Sequence, residues 1–202
     1  MIRRLHLFPW FALLIPVIYV LTGTLGVTGF SRPPGYATTI FLPSGIAVGS
    51  IFLFRAKALP SVFLGAMGLN VVIDLLHSNR ISLLGTEAAL AIAVASSLQA
   101  LCGGYLFRHF MTFYDYTLIN YKNLLRLTAL VPFVSLISAT LSNICLWLLG
   151  ILSLADAPGS WIGWYMGDMF GMLVALPWML LFFPLDDQVK KWTTDIIKGK
   201  LR

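Results

Sequence analysis

The chain alternates long apolar runs with short polar or basic stretches. The runs fall at about residues 9–29, 38–54, 58–76, 85–107, 124–150 and 161–183. Each is near the roughly 20 residues that carry an α-helix across the ~30 Å hydrocarbon core of a bilayer. The strict period-two alternation of a barrel strand is absent. The pattern predicts an all-α fold, a polytopic membrane helical bundle of about six transmembrane helices.

Composition fits this class. Of 202 residues, 58% are hydrophobic and 11% charged, against about 25% charged in a soluble domain. The first apolar run continues past signal-peptide length and has no small-residue cleavage site after it.

The net charge of +6 could suggest a nucleic-acid partner, but its distribution suggests a membrane. With the N-terminus inside, the inner segments hold Arg3, Arg4, Arg55, Lys57, Arg108, Lys122, Arg126, Lys190, Lys191, Lys198, Lys200 and Arg202, and the outer loops only Arg32 and Arg80. Twelve cations against two predict an N-in/C-in topology. The basic excess then reports orientation and contact with anionic membrane lipids, not nucleic acid.

Within this frame the polar residues inside the apolar runs carry the information. Asp168 stands in the middle of Trp161–Pro177, WIGWYMGDMFGMLVALP. A charge at that depth costs about 2.5–3.5 kcal/mol on insertion scales, so it marks a partner or a purpose. Gly163, Gly167 and Gly171 repeat at a spacing of four beside it, and small residues so spaced let a neighbouring helix approach closely. Helical angles place Trp161, Trp164 and Asp168 on one broad face.

The second run contains Pro43, Ser44 and Gly45, which predict a kink or a short broken turn, and Gly45 and Gly49 form a second close-packing pair. Asn70, Asp74 and His77 share one face of the third run. Glu87 opens the fourth, and Asn143 lies near the outer end of the fifth. Ser44, Asn70, Asp74, Glu87, Asn143 and Asp168 all fall in the outer half of the bilayer or at its edge, with Gln99 deeper and apart. Two readings stay open. These residues line a ligand pocket open to the outside, with Trp161 and Trp164 at its mouth, or they form an interhelical polar network that only fixes the bundle. Ser135, Ser138 and Ser142 of the fifth run read as packing residues.

Catalytic readings fare badly. The three histidines, His6, His77 and His109, lie at membrane edges, which removes the base of an intramembrane serine protease and a bis-histidine haem site. Tyr114-Asp115 and Gly167-Asp168 resemble fragments of aspartyl protease motifs, but Tyr165 replaces the first glycine of GxGD and the two aspartates fall on opposite sides. Cys102 and Cys145 show no metal-ligand or CxxC spacing, and they read as small packing residues. No metal, cofactor or phosphate loop is expected.

Two stretches resemble the MASE1 family. FLPSGIAVGSIFLFRAKALPSVFLGAMGLNVV is similar to its W-P-x-G-[IL]-A block, with Leu42 where the family carries Trp. WIGWYMGDMFGMLVALPWMLL is similar to its W-xx-W-xx-GD-xx-G-x-L-xx-xP block, and LTGTLGV fits its opening segment. The resemblance implies a bacterial inner-membrane sensor, residues 1–185. It implies a cytoplasmic linker helix, 186–202, toward an output domain that should follow, a histidine kinase or diguanylate cyclase of two-component or cyclic di-GMP signalling. The expected partners are an unidentified small-molecule ligand and a second copy or another membrane protein. The alternative is a small-molecule transporter or its substrate-binding membrane subunit. A purely structural, dimerising anchor would need no ligand.

Overall fold

The computed structural model describes residues 7–30, 38–110 and 121–182. Residues 31–37, the segment 111–120 that includes Asp115, and the expected linker helix 186–202 lie outside them. The described residues form helices α1 (Leu7–Phe30), α2 (Leu42–Phe54), α3 (Leu59–Ser78), α4 (Leu83–Phe110), α5 (Tyr121–Leu148) and α6 (Ala157–Phe182), with one 3₁₀ turn, Arg55–Ala58, between α2 and α3. Five helical stretches among them are long and apolar enough to cross a membrane, Leu42–Ser78 counting as one.

The second expected span, 38–54, differs from expectation. Only its last 13 residues are helical. At 1.5 Å per residue α2 covers about 20 Å, two-thirds of the hydrocarbon core. Pro43 stands at the first helical positions, where its missing N–H costs nothing and its fixed φ favours starting a helix. Thr38–Phe41 precede it as non-helical chain. The proline therefore starts a short helix and does not kink a long one.

This short helix is the centre of the molecule. Ten consecutive residues, Pro43–Phe52, are buried, the mark of a helix enclosed on all sides. It packs against α1, α4 and α6 and separates two cores. Ala47 and Ile51 join Tyr19, Val62, Ala66, Leu69, Ala93 and Ala100 on one side. Val48 and Phe52 join Phe107, Val131, Val134, Met172 and Leu176 on the other. Small residues set the spacing: any side chain at Gly103 would meet Val48 and Val134, and any at Gly104 would meet Ile51 and the Phe52 backbone.

The contacts fix helix directions. Tyr19, Val20 and Gly23 of α1 meet Gly65, Gly68 and Leu69 of α3 in the same order, so these two run parallel. Gly45 and Gly49 of α2 meet Gly171–Ala175 and Leu176–Met179 of α6, also in parallel. Gln99 meets Ser138 while Gly103 meets Val134, so α4 and α5 are antiparallel. Directions therefore alternate along the chain, and α2 and α3 point opposite ways although only four residues join them.

Arg55 makes that reversal, at φ 59° and ψ −155°. This region is essentially reserved for glycine, and another residue held there costs on the order of 1–3 kcal/mol. Arg55→Gly is expected to raise stability by up to about 1 kcal/mol after glycine's greater chain entropy is subtracted. A melting curve in detergent micelles checks this.

Candidate functional site

The non-helical segment Thr38–Phe41 ends against α6 at a depth set by two glycines. The Phe41 N–H donates to the Gly167 carbonyl at 2.9 Å. A Cβ on Gly167 would strike the Thr38 carbonyl oxygen, and one on Gly171 the Phe41 carbonyl. The glycine ridge thus receives an extended backbone and the first turn of α2, not the flank of a helix. Gly163, the first of the three, is half-buried. Gly45 completes the fit from the other side, where any side chain would meet the Gly171 carbonyl.

Ser44 ties the joint. Its hydroxyl shares its proton between the Phe41 carbonyl, at 2.8 Å, and the Asp168 carbonyl, at 3.0 Å. Asp168 is the twelfth residue of α6, so this joint lies roughly 16 Å along that helix. The positive end of the α2 dipole is thereby placed deep in the bundle. Irregular backbone at such depth is tolerated where protein or a cavity surrounds it, and both are present here.

The Asp168 side chain turns toward α4 and α5 and is 4% exposed. Gln99 and Ser138 hydrogen-bond to it. Gln99 Oε1 accepts the Ser138 main-chain N–H at 3.1 Å, which leaves Nε2 to donate to the carboxylate. The second carboxylate oxygen, Oδ2, is buried and has no hydrogen-bond partner among the described residues.

On the other side of the joint lies a cavity of about 30 Å³, lined in part by Tyr19, Thr38, Phe41, Asn70, Ser96 and Trp164. That is room for one or two waters and too little for a metabolite. The Thr38 hydroxyl, buried and without a hydrogen-bond partner among the described residues, stands in its wall. The Tyr19 hydroxyl hydrogen-bonds to Ser96 and lies close enough to Asp168 to feel its charge.

The structure separates the residues predicted to form one group. Ser44 touches Asp168 directly. Asn70 and Trp164 line the cavity, with Asn70 Nδ2 donating to Ala66 of its own helix at 2.8 Å. Asn143 is buried; its Nδ2 donates to Ala139 at 2.7 Å and its Oδ1 has no partner among the described residues. Trp161 parts from Trp164: it donates to Thr140 Oγ1 of α5 at 3.1 Å and stacks on Tyr165. Asp74 is used in the α3–α4 turn, accepting the Ser82 N–H at 2.8 Å and the Ser82 hydroxyl at 3.1 Å. Glu87 is exposed on α4.

Gln99, set apart in the sequence reading, is the residue bonded to Asp168. Ser138, read as packing, is the other. Distance from a span's start fixes depth only loosely, because packing sets how far one helix slides past its neighbour. Tyr19, Thr38 and Ser96 had no sequence signal beyond being polar groups in apolar runs. Both cysteines are free, with Cys102 exposed and Cys145 half-buried. Among the described residues no three His, Cys, Asp or Glu side chains gather as metal ligands.

No curated protein and no solved structure matches the chain. The MASE1 family matches residues 10–193, which takes in the joint, the cavity and all six helices from Trp10 onward. The match and the five apolar stretches point to a multi-pass membrane protein. The chain belongs to the MASE1 family of membrane-associated sensory, non-catalytic domains.

Proposed function

We propose that this chain is the sensing part of a bacterial inner-membrane signalling protein, oriented N-in/C-in, and that it relays a signal to a cytoplasmic histidine kinase or diguanylate cyclase. The observation that carries the reading is the joint between α2 and α6. A half-length helix ends at depth on a glycine ridge, next to a buried aspartate with one carboxylate oxygen unpartnered. Such a joint has few ways to move. A small shift of the α2 start along the ridge changes the register of α6, the helix that leads toward the C-terminus.

The charge distribution favours the orientation. Among the described residues, Arg55, Lys57, Arg108, Lys122 and Arg126 share one end of the bundle, while Arg80 stands at the other with Asp74, Glu87 and Asp156. Cations collect on the cytoplasmic side. A helix starting at mid-depth also occurs in transporter sites, but a cavity with room for one or two waters favours sensing over carriage of a metabolite.

A signal can move the output only by its differential affinity for two arrangements of the joint. The test uses the chain joined to its cyclase or kinase, with Asp168→Asn and Gly167→Leu measured separately. Loss of signal dependence at unchanged protein level is the expected result. Retained output and signal response in both variants would overturn the reading.

A further inference from the structure

A second feature lies away from this joint, at the basic end of the bundle. Between the start of α3 and the middle of α4 runs a groove of about 490 Å³, lined by Leu59, Pro60, Phe63 and Leu64 on one wall and Val94, Ser97, Leu98 and Leu101 on the other. The volume is within the 300–1,000 Å³ range of ligand sites. Leu64, Val94 and Leu98 are exposed, so the groove opens toward the surrounding lipid.

Cations crowd its mouth. Arg55 and Lys57 are exposed and stand in the 3₁₀ turn directly before Leu59. Arg108, at the end of α4, is near enough to Arg55 for their charges to interact, and it donates to the Phe52 carbonyl. No carboxylate among the described residues lies at this end: Asp74 and Glu87 flank the α3–α4 turn, Asp156 precedes α6, and Asp168 is at mid-depth. The backbone at Arg55, in a conformation suited to glycine, holds this side chain's origin at the turn despite its cost.

We infer that this groove is a binding site for an anionic phospholipid, with one acyl chain between α3 and α4 and the phosphate at Arg55 and Lys57. Basic pockets between membrane helices are known to select anionic headgroups. Charge complementarity decides against a second copy as occupant. A two-fold interface across the groove would bring Arg55 and Lys57 close to their own counterparts.

The experiment is native mass spectrometry of the purified chain in micelles, offered equal phosphatidylglycerol and phosphatidylcholine with the same acyl chains. A basic residue near an anionic surface is worth about a five-fold preference, so the chain should retain phosphatidylglycerol about ten-fold or more over phosphatidylcholine. Arg55→Gly with Lys57→Gln, which suits the backbone at residue 55, should bring the ratio below about two-fold. Removing the same charge from α5, by Lys122→Gln with Arg126→Gln, should leave it unchanged, since α5 packs on α4 and α6. Ser97→Trp, which fills the groove, should reduce retention of both lipids. Equal retention of the two lipids by the unaltered chain would overturn the proposal, as would an equal effect of the Lys122/Arg126 pair. So would a Ser97→Trp variant that loses a dimer while keeping its lipid.

Discussion

Gly171→Ala is expected to destabilise the protein by roughly 3 kcal/mol, the upper part of the range for overpacking, although one methyl group is added. That methyl would overlap the carbonyl carbon and oxygen of Phe41 and press on Ser44 Oγ. The carbonyl has little freedom to retreat, because it already accepts the Ser44 N–H at 3.1 Å and the Ser44 hydroxyl at 2.8 Å. The start of α2 would have to move off α6, breaking the bonds to Gly167 and Asp168. Gly159→Ala is the control on the same helix. Nothing lies within 4 Å of its Cβ position, and alanine's helix propensity should leave stability unchanged or raise it by up to about 1 kcal/mol. Thermal unfolding in micelles, followed by tryptophan fluorescence, distinguishes them. Equal melting temperatures for the two variants would mean that the joint is looser than described.

Asp168→Leu should cost about 2 kcal/mol by leaving the Gln99 amide and the Ser138 hydroxyl without their acceptor, since an orphaned buried polar group costs about 1–3 kcal/mol. Membrane hydrogen bonds are individually weak, averaging about 0.6 kcal/mol in double-mutant cycles. Here, however, Asp168 is enclosed by α4 and α5, and its orphaned partners have no nearby replacement. Asp168→Asn keeps an acceptor for Gln99 and should cost under about 1 kcal/mol. The pair separates two roles. Should the asparagine variant be stable yet blind to the signal, the carboxylate matters to sensing beyond holding the bundle. If both variants melt alike, the hydrogen bonds contribute little, and Ser44's hold on the Asp168 carbonyl, which neither variant alters, fixes the joint.

Much of this was legible along the chain. Asp168 in an apolar run announced a buried polar centre, because charge is rarely left in hydrocarbon without partners. Gly167, Gly171 and Gly45 announced a close approach, and Pro43-Ser44-Gly45 a break. What approaches what was not legible. Gly45 meets a helix as expected, at Gly171–Ala175 of α6, but Gly167 and Gly171 meet the carbonyls of Thr38 and Phe41. Asp74 and Glu87 looked like members of the same polar group, yet Asp74 closes the α3–α4 turn with Ser82 and Glu87 is exposed. A carboxylate near a helix end has a local use as readily as a shared one, and residue type alone does not choose between them.

The amino-acid sequence by itself determined the solvent, the helical class, the family and that Asp168 stands inside an apolar helix. These follow from local quantities: run length, residue type, charge placement and short fixed spacings. Tertiary structure decided that α2 is a half-length helix at the centre of two cores and that Gln99 and Ser138 are the partners of Asp168. It also turned Trp161 toward α5 and Trp164 toward the cavity. The physical reason is that hydrophobicity specifies how deep a helix lies only loosely. The axial slide and rotation of each helix come from close packing, here of Gly45 on Gly171 and of Gly103 and Gly104 on α2, and those contacts join residues far apart in the chain.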